Sequence, residues 1–156
     1  MFQIYILILS LSLGAFAQTP ARPDGCRTRV RAVFDVGSGS IKMNLSQVEI
    51  CGEKIRVVRV LDEDSSADAA LEASKDKNGN ISEAGMEAGL AALKSLKEKA
   101  ISLTKEFGEE ELDFAAAGTH AFRTTKNQAV FQKRIAALGI SIVPLTQEQE
   151  AFAGMS

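Results

Sequence analysis

The sequence predicts an α/β fold, one sheet with helices packed on it. Three observations carry that reading. Three β-rich segments follow one another between residues 29 and 61, joined by short glycine-containing turns. Residues 82–107 carry a single apolar stripe at helical spacing. From residue 112 onward, short apolar strands alternate with helical patterns, as in α/β domains.

At 156 residues the chain has room for one domain, and 46% hydrophobic with 24% charged residues is an ordinary globular balance. A net charge of −2 gives no global basic field for nucleic acid. An anionic ligand would need a local site of backbone N–H groups and a few Arg or Lys.

Residues 4–13 are almost wholly apolar, and Ala15-Phe16-Ala17 forms a small-x-small cleavage site before Gln18. Residues 1–17 therefore read as a secretory signal peptide, although no Lys or Arg stands near the start. The alternative is an uncleaved anchor, but the run falls short of the roughly 20 residues a spanning helix needs. Cleavage would leave an exported chain, periplasmic or secreted, with no stable membrane span. Residues 18–28 read as a Pro-containing linker.

Residues 29–36 form the first strand, and residues 40–50 the second. Between them, Gly37-Ser38-Gly39-Ser40 is a turn with little side-chain cover. A concave set of backbone N–H groups binds anions. Asp35, at the strand end, suits a hydrated divalent cation beside the same anion. Each element also has a plain structural reading, the turn as a hairpin turn and Asp35 as a strand-end turn former.

If the two strands form an antiparallel hairpin about that turn, residues whose numbers sum to 77 face each other, and Cys26 and Cys51 are such a pair. Opposed Cα atoms lie about 4.5–5.5 Å apart, within disulfide reach. In an oxidising compartment a Cys26–Cys51 disulfide is expected. The alternative is two free thiols acting as small apolar residues.

Residues 51–54 turn the chain into a third strand, 55–61, with Val57, Val58 and Val60. Residues 62–80 are polar and acidic and read as a surface loop with a turn of helix near 67–73. Asp76-x-Asn78-x-Asn80 has calcium-loop spacing but lacks the remainder of that loop, so a solvated loop is expected. A helix runs from Ser82 to about Phe107, with Met86, Leu90, Leu93, Leu96, Ala100, Leu103 and Phe107 on its stripe and Gly108 ending it. Residues 112–117 form a strand without alternation, expected to be buried on both faces in a parallel arrangement. A second helix covers 126–138, packs Val130, Phe131, Ile135 and Leu138, and stops at Gly139. Residues 140–145 form another buried strand, and the capping box Thr146-x-x-Gln149 opens a third helix. The resulting order is β-β-β-α-β-α-β-α, a ribonuclease H-like layout with no internal repeat.

Three motifs now stand in order: Asp35-x-Gly37-Ser38-x-Ser40, then Gly118-Thr119-His120-x-x-Arg123-x-x-x-Asn127, then Glu150-Ala151. Over about residues 31–155 this set resembles the N-terminal part of the exopolyphosphatase/guanosine pentaphosphate phosphatase family, of the actin/hexokinase/heat-shock ATPase superfamily. The resemblance implies a metal-assisted hydrolase that removes terminal phosphate from polyphosphate or a related phosphoanhydride. It casts Gly37, Ser38, Gly39 and Ser40 as a phosphate loop, Asp35 as the Mg2+-side carboxylate, Arg123 as a phosphate clamp and Glu150 as the base that activates water. Taken singly, Arg123 could be a solvated residue, Glu150 a first-turn Glu favoured by the helix dipole, and His120 a structural histidine with no chemistry.

The sequence departs from the family at Gly39, where Asn is usual, in the segment 145–149, and at Phe152, where Arg is usual. The family also carries a second Asp-x-Gly-Gly-Gly-Ser phosphate loop on a second half of the fold, and this sequence ends before it. The expectation is a truncated phosphohydrolase domain, incomplete as it stands, whose partner is a complementary C-terminal half or a second copy. The other reading is a non-catalytic exported domain that binds an anion or a partner. Export favours polyphosphate over a nucleotide alarmone.

Overall fold

The computed structural model describes residues 25–108 and 111–153. The leader read over residues 1–17, and residues 18–24 of the linker, lie outside them. The linker assignment ran too far, because strand β1 already begins at Cys26 and spans Cys26–Val36. It pairs antiparallel with β2, Ser40–Cys51, in one unbroken register from Val36↔Ile41 to Cys26↔Cys51. Period-two alternation places Val30, Ala32, Phe34 and Val36 of β1, and Ile41, Met43 and Leu45 of β2, in the core. The pair Cys26–Cys51 is disulfide-bonded, with Cα atoms 4.3 Å apart.

Strand β3, Lys54–Asp62, pairs with β2 through two register shifts and stands at the sheet edge with Ile55, Val57, Val58 and Val60 exposed. The loop expected over 62–80 is more ordered than its composition suggested. Residues Ser66–Asp68 form a short strand, β4, on the same edge of β2. Ala69 and Leu71 follow it into the core. The expected turn of helix is displaced by these contacts. Glu63, Asp64 and the turn Asp76–Asn80 keep the solvated character, and the Asp76 carboxylate accepts from the backbone N–H of Asn78 and Asn80 at 2.8 and 3.0 Å. Its oxygens satisfy its own turn.

Helix α1, Glu83–Glu106, matches the expected span, with the Ser82 side chain accepting from Gly85 N at 3.1 Å as N-cap. Its stripe of Met86, Leu93, Leu96 and Ala100 is buried in the core, with Leu90 and Leu103 partly buried, whereas Phe107, the C-cap at the end of the expected stripe, is 38% exposed. Strand β5, Leu112–Gly118, runs parallel to β1. A four-residue helix α2, His120–Arg123, stands where none was expected, and the second helix, expected over 126–138, is α3 at Gln128–Ala137, with Phe131 and Ile135 buried but Val130 49% exposed. Buried Phe122 and Phe131, one from each, meet with ring centroids 5.8 Å apart. Strand β6, Ser141–Pro144, pairs parallel with β5, and α4, Gln147–Ala153, follows it.

The sheet order is β3-β2-β1-β5-β6 with β4 on β2. The observed order β-β-β-β-α-β-α-α-β-α thus corrects the sequence reading by one added strand, β4, and one added short helix, α2. A second correction concerns burial. Strands β5 and β6 are not covered on both sides, and Val143 is 58% exposed. The buried stripes of α1 and α3 share one core with one face of the sheet. On the other face Val33, Ala115 and Val143 keep contact with solvent. Among the described residues no helix is long and apolar enough to cross a membrane.

Candidate functional site

Strands β1, β5 and β6 run in the same direction, and Val36 and Gly118, then Gly118 and Pro144, are register partners at their C-terminal ends. In open α/β sheets, ligands bind in the crevice outside such carboxyl ends. The three segments that resembled family motifs leave these three strand ends. They are tied together: Thr119 donates to the Val36 carbonyl through both N and Oγ1 at 3.2 Å, and Leu145 N donates to the Gly118 carbonyl at 2.9 Å.

The turn 37–40 is closed by Gly37 N donating to the Ser40 carbonyl at 3.1 Å. A Cβ on residue 37 would lie 2.9 Å from that same oxygen, so the tight turn needs glycine there. From behind, the chain after β4 grips the turn. The Gly39 carbonyl accepts from Ala69 N and Ala70 N at 2.9 Å, and the Ser38 carbonyl from Glu72 N at 3.0 Å. In a trans peptide the N–H points away from the C=O, so fixing the Ser38 carbonyl turns the Gly39 N–H away from this segment. Among the described residues the N–H groups of Ser38 and Gly39 have no acceptor, and both residues are exposed. The sequence reading missed the gripping segment. Its signal was Ala69-Ala70-Leu71, a small apolar run inside a polar stretch.

Helix α2 is positioned by Phe122, which packs under Gly118. A Cβ on residue 118 would come within 2.4 Å of that ring. This fixes Arg123, whose Nη1 donates to the Leu145 carbonyl at 2.7 Å and to Glu150 Oε2 at 2.9 Å. Glu150 is held by the first turn of α4, where the capping box is complete: Thr146 N donates to Gln149 Oε1 at 2.9 Å and Gln149 N to Thr146 Oγ1 at 3.2 Å. Arg123 and Glu150, with His120, Gln147 and Ala151, line an open cleft of about 400 Å³.

Asp35 remains accessible to solvent, opposite Lys42 on β2. Partial loss of water around its carboxyl raises its pKa above the ordinary carboxylate value; Lys42 opposes this, and the Glu150 carboxylate adds to it. Asp35 and Glu150 therefore lie within electrostatic reach of each other. The structure brings Asp35, Arg123 and Glu150 to one end of the sheet, next to the turn of Gly37, Ser38, Gly39 and Ser40. Cys26 and Cys51 close the opposite end of the hairpin, about 30 Å from Asp35 along the strand. Asn127 is a clamp: its Oδ1 accepts from Ile81 N at 3.0 Å and its Nδ2 donates to the Ile81 carbonyl at 2.8 Å.

Among the described residues no group of three or more His, Cys, Asp and Glu side chains is gathered as a metal cage. What is present is Asp35 with Glu150 nearby. That donor set fits Mg2+ bound through one or two carboxylates together with phosphate oxygens.

No protein-family model matches the chain, and no curated protein matches it. Solved structures do. A Ppx/GppA family member from Aquifex aeolicus is 25% identical with a TM-score of 0.55, the match covering 80% of this chain and 37% of that one. An exopolyphosphatase from Cytophaga hutchinsonii is 21% identical with a TM-score of 0.50, covering 75% and 34%. An exopolyphosphatase-like protein is 22% identical with a TM-score of 0.51, covering 80% and 34%. The resemblance to the Ppx/GppA family is therefore seen in three dimensions, over a mixed α/β domain. The chain spans about a third of the length of the solved structures it matches.

Proposed function

We propose that the chain is a phosphohydrolase-type domain of the exopolyphosphatase kind, acting on polyphosphate or a related phosphoanhydride. The observation that carries this reading is the meeting of Arg123, Glu150 and Asp35 beside the unpaired Ser38 and Gly39 amides. The amides and Arg123 would hold phosphate oxygens, and positioned donors of this kind supply most of the catalysis in phosphoryl transfer. Glu150 would take the proton from the attacking water. Asp35, with Glu150 beside it, would hold Mg2+, which when bound neutralises charge on the phosphate oxygens. The site is open, so the other wall of a phosphate pocket would come from a complementary half or a second copy of the chain.

The place of action in this reading is outside the cytoplasm. The apolar segment 4–13 and the Cys26–Cys51 disulfide support it.

Phosphate release from polyphosphate with Mg2+ tests the reading. Release that falls to background in Glu150→Gln supports a phosphohydrolase. Tight polyphosphate binding with no release, alone or with a complementary half, would make the chain a binding domain instead.

A further inference from the structure

His120 is the single histidine of the chain. A lone histidine is most often a structural group with satisfied ring nitrogens. This one is not: it is exposed, and among the described residues neither ring nitrogen has a hydrogen-bond partner. It opens α2, with Arg123 three residues on at the other end of the same turn, and residues three apart share a helix face. Both residues line the cleft that Gln147, Glu150 and Ala151 complete.

Charge bookkeeping around this cleft gives the imidazole a role. Arg123 is the cation that lines it and Glu150 the carboxylate, while Asp35, within electrostatic reach of Glu150, is paired across the hairpin with Lys42. Arg123 is already engaged by Glu150, so little net positive field is left for a polyanion. A phosphate chain entering here needs a further N–H donor on the α2 side. An imidazole offers one in either tautomer and two when protonated. We propose that His120 is an anion-binding residue of this site, donating to a non-bridging oxygen of the bound phosphate chain beside Arg123. The inference rests on the phosphohydrolase reading of the cleft and adds a residue to it.

The test is titration of the untagged full chain with inorganic tripolyphosphate and Mg2+, read by calorimetry and by the imidazole proton resonances. With one histidine those resonances need no assignment. The proposal expects them to shift on saturation. It expects His120→Ala to weaken binding about threefold to tenfold, and His120→Arg to restore it. Arg123→Ala separates the two claims. If Arg123→Ala weakens binding while His120→Ala and the imidazole signals are unaffected, the His120 assignment is overturned and the phosphate site stands. If the wild-type chain binds no tripolyphosphate, or Arg123→Ala binds it equally well, the site reading and the His120 assignment both fall.

Discussion

Arg123 Nη1 stands 2.9 Å from Glu150 Oε2 and 2.7 Å from the Leu145 carbonyl, so one guanidinium nitrogen ties α2 to α4. The pair is part-buried at the cleft rim. In the proposed site the same guanidinium must serve a phosphate, so Glu150 and phosphate compete for it. Glu150→Gln therefore has two opposed effects. Phosphate binding should tighten about twofold to fivefold, the range set by a part-exposed ion pair, while hydrolysis is lost. Arg123→Ala should weaken binding about tenfold or more. Calorimetry and a phosphate-release assay on the same samples separate the two effects.

Asp35 should titrate above the ordinary carboxylate range, because partial loss of water and the Glu150 carboxylate both disfavour its charge. A carboxyl with a raised folded-state pKa destabilises the fold when ionised, and that cost is relieved as pH falls through the raised value. For function the direction reverses, since Mg2+ needs the ionised form and its affinity should fall over the same window. In a carboxyl-carbon NMR titration, Glu150→Gln should lower the Asp35 midpoint and Lys42→Ala should raise it. An Asp35 midpoint unmoved by Glu150→Gln would separate the two carboxylates.

The Cys26–Cys51 disulfide closes a loop with a sequence separation of 25. Chain-entropy reasoning assigns such a crosslink about 3 kcal/mol. Cys26→Ser/Cys51→Ser should lower the unfolding free energy by about that amount in denaturant titration. It should leave tripolyphosphate binding unchanged, since the bond lies at the far end of β1. A thiol count on the oxidised native chain should find none free.

Gly118→Ala should destabilise the fold by about 1–3 kcal/mol, because the new methyl meets the Phe122 ring at 2.4 Å and both groups are buried. Displacing Phe122 moves Arg123, so phosphate binding should weaken as well. Asn127→Ala should cost about 1–3 kcal/mol by leaving the Ile81 N–H and C=O without partners. It should leave the binding constant of the folded protein near the wild-type value.

The register of the hairpin was readable to the residue, though not the start of its first strand. Strand alternation and a short turn leave one register, and the Cys26↔Cys51 pairing followed from it. Helix α1 was equally legible, since its cap, stripe and Gly108 all agree. The grip of residues 69–72 on the turn was not, because it is made of backbone N–H groups that carry no side-chain signature. Helix α2 escaped for a related reason. It depends on Phe122 fitting beneath Gly118, a contact made only after β5 and α2 have folded together. The exposure of Val143 was hidden because an apolar strand reads the same whether one face or both are covered. Of the candidate site, the residue types were legible in order along the chain. The Arg123–Glu150 pairing and the free ring of His120 belong to the fold and had no local signal.

If the strand-end turn and the α2–α4 pair form one phosphate site, amide chemical-shift mapping with pyrophosphate and Mg2+ will locate it. The largest saturable shifts should fall at the Ser38 and Gly39 amides, together with the Arg123 side-chain resonances, while the Cys26–Cys51 end stays still. Saturable shifts centred elsewhere on the chain, or none at Ser38 and Gly39, would contradict it.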